Sequence, residues 1–123
     1  MSTILLVEDT PALAKEVTDL LTMENLEVIV AEDGLKAMSI LEDVRPDLII
    51  SDLLMPNMDG LELLSALKQR KELRGIPTII MTARGGEDIQ SKALALGARC
   101  VLLKPCRAVK LIETINHILH ADA

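Results

Sequence analysis

The sequence predicts a doubly wound α/β fold, (βα)5, in which five parallel strands alternate with five helices, and three observations carry that prediction. Short runs rich in Ile, Val and Leu, without polar alternation, recur at residues 3–7, 26–31, 48–51, 77–82 and 100–103. Parallel strands covered on both faces read this way. Between the runs lie stretches whose apolar residues repeat at helical spacing, and strands alternating with helical segments build βαβ units. Finally, every connection is a few residues long and no repeat or low-complexity segment interrupts the 123 residues. The expectation is a single domain over 1–123 with its core over roughly 3–119.

Each element has its own signal. After the first strand, Thr10 stands where a helix cap is wanted and Pro11 at the first helical position. Leu13, Val17, Leu20 and Leu21 then fall on one face. A second helix over 35–44 would carry Leu35, Met38 and Leu41 as its apolar stripe, and a third over 61–73 would carry Leu61, Leu64 and Leu67. The fourth, over 88–96, faces inward with Ile89, Ala93 and Leu96, is small or polar elsewhere, and stops at Gly97. The fifth, over 108–119, presents Leu111, Ile115, Ile118 and Leu119.

Composition excludes several functions. Half of the residues are hydrophobic, but Phe, Trp and Tyr are absent, so the core is aliphatic with six Met and two Cys as filler, and aromatic stacking on a ligand is ruled out. Thirteen Lys and Arg against nineteen Asp and Glu give a net charge of −6. That balance repels a nucleic-acid backbone, whose binding is driven by cations. The run Ile4-Leu5-Leu6-Val7 has no basic residue before it and is ended by Glu8-Asp9. It is too short for a signal peptide or a bilayer span, so a cytoplasmic chain without membrane insertion is expected. Cys100 and Cys106 make no disulfide framework and are expected as free, buried thiols.

The functional argument comes from the strand ends. In a doubly wound sheet ligands bind beyond the carboxyl ends of the strands where strand order reverses, which for the order 2-1-3-4-5 lies between the first and third strands. The first strand ends in Glu8-Asp9, the third in Asp52, the fourth in Thr82 and the fifth in Lys104. Taken singly, the acidic pair could cap a helix, Asp52 could begin a turn, Thr82 could satisfy loop backbone and Lys104 could be a solvated charge. Arriving together at one edge, they point to a site. Two carboxylates about 4 Å apart repel by roughly 4 kcal/mol at an effective dielectric near 20, so three of them call for a cation. Oxygen donors without a neighbouring Cys or His suit Mg2+ or Mn2+ rather than zinc.

These residues also carry a family resemblance. Ile4-Leu5-Leu6-Val7-Glu8-Asp9, the segment from Pro46 to Asp52 with Leu53-Leu54-Met55-Pro56-Asn57-Met58-Asp59-Gly60, then Ile79-Ile80-Met81-Thr82-Ala83, and Lys104-Pro105 resemble the receiver domains of bacterial two-component response regulators. The likeness runs from Thr3 to about Leu119. It implies a flavodoxin-like fold and a phosphorelay role that takes a phosphoryl group from a phosphohistidine donor. Asp52 would be the phospho-acceptor. Asp9, Asp52 and the main-chain carbonyl of Leu54 would bind Mg2+ directly, and Glu8 would hold a metal-bound water. Lys104 would pair with phosphoryl oxygens and Thr82 would donate its hydroxyl to one. The Lys104-Pro105 bond would be cis, against a base rate of about 5–6% for such bonds.

Its partners would be a sensor histidine kinase or phosphotransfer protein on one side and an output protein or domain on the other. No direct nucleic-acid contact is expected. As a signalling module rather than an enzyme, the chain would at most phosphorylate itself from a donor and dephosphorylate slowly.

Departures from the pattern matter too. The family places an aromatic ring three residues before the Lys and another after its Pro, where this chain has Val101 and Cys106. The first is the family's switch position, so coupling by ring rotation is excluded. Leu54 and Arg84 flank the acceptor and Thr82 at positions that tune loss of the phosphoryl group, and Leu54 cannot orient a water. Gly85-Gly86 makes the following loop compliant. His117 and His120 suit the end of the last helix through its dipole. Two rival readings are a pseudo-receiver that only binds protein, and a metal-dependent phosphatase with an aspartyl nucleophile. The pseudo-receiver should lack part of the residue set, and the phosphatase should have a second Asp where Leu54 stands.

Overall fold

The computed structural model describes residues 1–83 and 86–121, and the Arg84 and Gly85 positions lie outside them. The chain runs β1 (Thr3–Val7), α1 (Pro11–Met23), β2 (Glu27–Ala31), α2 (Gly34–Ile40), β3 (Leu48–Asp52), α3 (Gly60–Gln69), β4 (Thr78–Thr82), α4 (Glu87–Ala95), β5 (Cys100–Leu103) and α5 (Ala108–Ala121). All strand pairs are parallel, and the sheet order is β2-β1-β3-β4-β5. Strand order therefore reverses between β1 and β3. Among the described residues no helix is long and apolar enough to cross a membrane.

Alternate residues of the central strands feed two cores. Ile4, Leu6, Ile50, Ile79, Met81 and Leu102 pack with Leu21 of α1 and with Leu111, Ile115 and Ile118 of α5. On the other side Leu5, Val7 and Ile49 meet Ala37 and Leu41 near α2 and Leu63 and Leu67 of α3, while Ile80 meets Leu64 of α3 and Ala93 of α4. Burying both faces accounts for the uninterrupted apolar runs. Fully burying one such Leu or Ile is worth about 1.5–3 kcal/mol.

The helices differ from expectation in three places. Thr10 is the N-cap of α1, but its side chain makes no cap hydrogen bond. Pro11 has no N–H to satisfy, and the Thr10 main chain does the anchoring: its N–H donates to Glu8 Oε2 and its carbonyl accepts from the Ala14 N–H. The second helix ends at Ile40 rather than residue 44, and Leu35 is 53% exposed. Met38 packs half-buried against the core as expected, but Gly34 and Ala37 join Leu41 as the buried line, because Gly34 lies against Met58 with no room for a larger side chain. The third helix ends at Gln69, and Leu73 reaches the core from a turn whose N–H donates to the Arg70 carbonyl. Both thiols are free and half-buried rather than fully buried.

Candidate functional site

The carboxyl edge of the sheet brings together the side chains that the strand ends supply. Glu8 and Asp9 leave β1, Asp52 ends β3, Thr82 ends β4, and Lys104 follows β5. The strands fix their height: Asp52 pairs with Met81, and Thr82 with Leu103. The Lys104 N–H then donates to the Thr82 carbonyl, extending the ladder by one residue.

Three carboxylates converge there. Glu8, Asp9 and Asp52 each offer an oxygen, and these oxygens lie within 4.8 Å of one another. Glu8 is buried, Asp52 half-buried and Asp9 exposed, so the cluster opens to solvent on the Asp9 side. Lys104 Nζ lies 3.2 Å from Glu8 Oε1 and 3.3 Å from Asp52 Oδ2. Among the described residues, one ammonium faces three carboxylates there, which leaves that group net negative, and its all-oxygen donor set fits a hard divalent cation.

Hydrogen bonds orient the acids. The other Asp52 oxygen, Oδ1, accepts from the Leu53 N–H at 2.9 Å, leaving Oδ2 turned toward Lys104. Glu8 splits its oxygens in the same way, Oε2 to the Thr10 N–H and Oε1 to Lys104. Thr82, at the end of β4, is 2% exposed, while Leu54 is 59% exposed and has no polar side chain to offer. A cavity of about 540 Å3 opens from Glu8, Asp52 and Lys104 along the groove between α1 and the start of α5, past Leu13, Val17 and Cys106.

Of the sequence-predicted side chains, Glu8, Asp9, Asp52 and Lys104 are brought together, and Thr82 ends the neighbouring strand at the same edge. The Lys104-Pro105 peptide is cis. His117 and His120 lie exposed on α5, away from the cluster. A contact that sequence reasoning passes over joins two loops: Asn57 Nδ2 donates to Asp33 Oδ2 at 2.8 Å. The Pro56–Gly60 stretch reads as an ordinary turn, and nothing in its spacing points to Asp33.

Fold and site define a class: a doubly wound α/β protein with a carboxylate and lysine cluster at its topological switch point. The family model for the response regulator receiver domain matches residues 4–116. The transcriptional regulatory protein CpxR of Escherichia coli (strain K12) is 40% identical over 119 residues, covering 97% of this chain and 50% of that protein. The signal receiver domain of a signal transduction histidine kinase from Syntrophus aciditrophicus superposes with a TM-score of 0.92 at 36% identity, covering 98% of this chain and 92% of that one. The chemotaxis protein CheY4 of Vibrio cholerae does so with a TM-score of 0.91 at 29% identity, covering 96% and 98%. The chain belongs to the response regulator receiver family and has the fold of a two-component signalling receiver. It spans about half the length of the first curated relatives it matches.

Proposed function

We propose that Asp52 accepts a phosphoryl group from a phosphohistidine donor, with Mg2+ held by Asp9, Asp52 and the Leu54 main-chain carbonyl, and that residues 1–123 act as a single receiver domain. The observation that carries this reading is the placement of Lys104 against both Asp52 and Glu8, with Asp9 completing the acidic cluster. A carboxylate nucleophile is thereby flanked by a cation for phosphoryl oxygens and by an oxygen-donor set for a metal. Mn2+ would suit the same donors.

In the transfer, an Asp52 carboxylate oxygen forms a bond to phosphorus as the bond from phosphorus to the donor imidazole nitrogen breaks. The electron pair of the broken bond stays on the imidazole, which takes up a proton. The Leu53 N–H holds Oδ1, so the nucleophile cannot turn away. Lys104 would exchange its contact with Asp52 for the arriving phosphoryl oxygens, keeping Glu8 as its anchor, and Thr82 would donate its hydroxyl to another oxygen. Bound Mg2+ neutralises charge that develops on the transferring group, and such transfers depend on positioning and charge more than on covalent help.

The donor would be a sensor histidine kinase or a phosphotransfer protein, and the receiver of the signal an output protein or a further domain, in the cytoplasm. Presence of the whole residue set disfavours a pseudo-receiver. Exposed, apolar Leu54 disfavours a phosphatase, because it offers no proton to a leaving group. Leu54 also leaves water unassisted, so loss of the phosphoryl group is expected to be slow.

Incubation with acetyl phosphate and Mg2+ should add one phosphoryl group by intact mass. Asp52→Asn should abolish the adduct. An unmodified native chain would overturn the reading, and labelling that survives Asp52→Asn would move the acceptor elsewhere.

A further inference from the structure

The loop that leaves Asp52 runs over residues 53–59 and is closed by a hydrogen bond from the Gly60 N–H to the Leu53 carbonyl. At its tip the Met58 N–H donates to the Pro56 carbonyl at 2.7 Å, and Asn57 between them has φ +68°. A three-residue turn of this hand is rare and strained, and persists only where the surroundings hold it. Among the described residues, the only hydrogen bond from 54–58 to another part of the fold is the one from Asn57 Nδ2 to Asp33 Oδ2.

Asp33 is more than a helix cap requires. One oxygen, Oδ1, accepts from the Lys36 N–H and caps α2. A Ser or Asn would do that equally well. Asp33 is nevertheless 6% exposed, and its second oxygen is spent on Asn57. The carboxylate only accepts, so the contact fixes the Asn57 amide with its nitrogen toward Asp33. The neighbouring contact acts in the same place: a Cβ on Gly34 would lie 2.7 Å from Met58 Cγ and 2.9 Å from the Met58 carbonyl oxygen. The tip of the loop is thus seated on the start of α2 by one polar bond and one close approach.

We infer that Asp33 and Asn57 are positioning residues for the metal site, acting through the loop that carries the Leu54 carbonyl. This rests on the proposed role of that carbonyl as a metal ligand. Neither residue touches the metal. Their bond holds the strained tip down, and the backbone between Leu53 and Asn57 follows. Groups that orient ligands from behind typically change metal affinity about 10- to 100-fold when removed.

The test is calorimetric titration of Mg2+ into the 123-residue chain and four variants. Asn57→Gly keeps the positive φ without strain and removes the bond, and Mg2+ should bind about tenfold more weakly. The double exchange Asp33→Asn with Asn57→Asp reverses donor and acceptor at unchanged net charge, with the oxygen at 33 still capping α2. Its Mg2+ affinity should return to within about threefold of native, whereas Asp33→Asn/Asn57→Gly should stay weak. Amide exchange of the metal-free chain gives an independent readout: Asn57→Gly should speed exchange at residues 54–58, and the double exchange should slow it again.

Native affinity in Asn57→Gly, or a double exchange as weak as Asn57→Gly, overturns the inference. Asp9→Ala, the fourth variant, separates it from the reading on which it stands. If the native chain binds Mg2+ and Asp9→Ala does not, the metal site holds, and the affinities of the other variants bear on Asp33 and Asn57 alone. If the native chain takes up no Mg2+, the metal site and this inference fall together.

Discussion

Lys104 Nζ lies 3.3 Å from Asp52 Oδ2, and the same ammonium donates to Glu8 at 3.2 Å from a position 96 residues away in the chain. The lysine is thus the internal counter-charge of a cluster that otherwise repels itself. It is side-chain 21% exposed, against 6% for Glu8 and 15% for Asp52, so water screens the group only in part.

Removing that counter-charge should therefore make the fold more dependent on metal. Lys104→Ala leaves two poorly solvated carboxylates without their cation, a loss of about 1–3 kcal/mol in the metal-free chain. Mg2+ should then raise the melting temperature of Lys104→Ala by more than it raises that of the native chain. With no Trp, Tyr or Phe, melting has to be followed by circular dichroism or calorimetry. Equal increments in the two proteins would show that Lys104 does not carry the balance.

Much of this site is legible in the sequence because its parts sit at strand ends, and strand ends are marked by the change from apolar to polar residues. Glu8, Asp52, Thr82 and Lys104 all lie at or within one residue of such a boundary. The helices show where periodicity misleads. Leu35 has the spacing of a core residue, yet burial at the start of α2 belongs to Gly34, chosen by the approach of Met58 from another loop. Leu73 keeps the helical rhythm of α3 after the backbone has left the helix, and it is still 2% exposed. Such features depend on contacts between segments, which no local pattern records. The tie between Asn57 and Asp33 belongs to the same class.

Gly60 gives a sharper prediction about the acceptor strand. A Cβ there would stand 2.6 Å from the Asp52 carbonyl oxygen and 3.1 Å from Leu53 Cα, both main-chain atoms that cannot swing aside. Gly60→Ala should destabilise the chain by about 1–3 kcal/mol through overpacking. Because the nearer of the displaced atoms is the carbonyl oxygen of the acceptor residue itself, labelling by acetyl phosphate should also slow in molecules that remain folded. Chemical denaturation alongside a labelling time course checks both, and unchanged stability would refute the contact.

Alkaline conditions should weaken the fold through Cys100. Burial pushes its thiol above the ordinary value of 9.0, with Lys110 and Arg99 opposing. The folded state then holds a proton that the unfolded chain has lost, so the contribution is intact below pH 9.0 and disappears as pH rises through the folded value. As pH rises above 9.0, native melting temperature should fall more steeply than that of Cys100→Ala. Parallel slopes would mean the thiol ionises equally in both states.

The last prediction concerns how occupancy of the site reaches the surface. Val101 lies half-buried on β5 beside Ile80, Ala93 and Ala98, at the position where the family places a ring. A branched aliphatic side chain has no ring to turn in or out, so it cannot report on the site by rotation. Thr82, buried at the end of β4, is the residue whose hydroxyl would interact differently with empty and phosphorylated Asp52. A shift between two states requires such a difference. Thr82→Ala should therefore leave Asp52 able to accept a phosphoryl group while blunting the response of the surface formed by α4, β5 and α5. Val101→Ala should cost about 1 kcal/mol of packing and keep the response. Amide chemical shifts with and without beryllofluoride, a phosphoryl mimic, read both variants directly. Loss of the shifts on that surface in Val101→Ala, with their retention in Thr82→Ala, would show that the signal leaves through β5 packing and not through the hydroxyl.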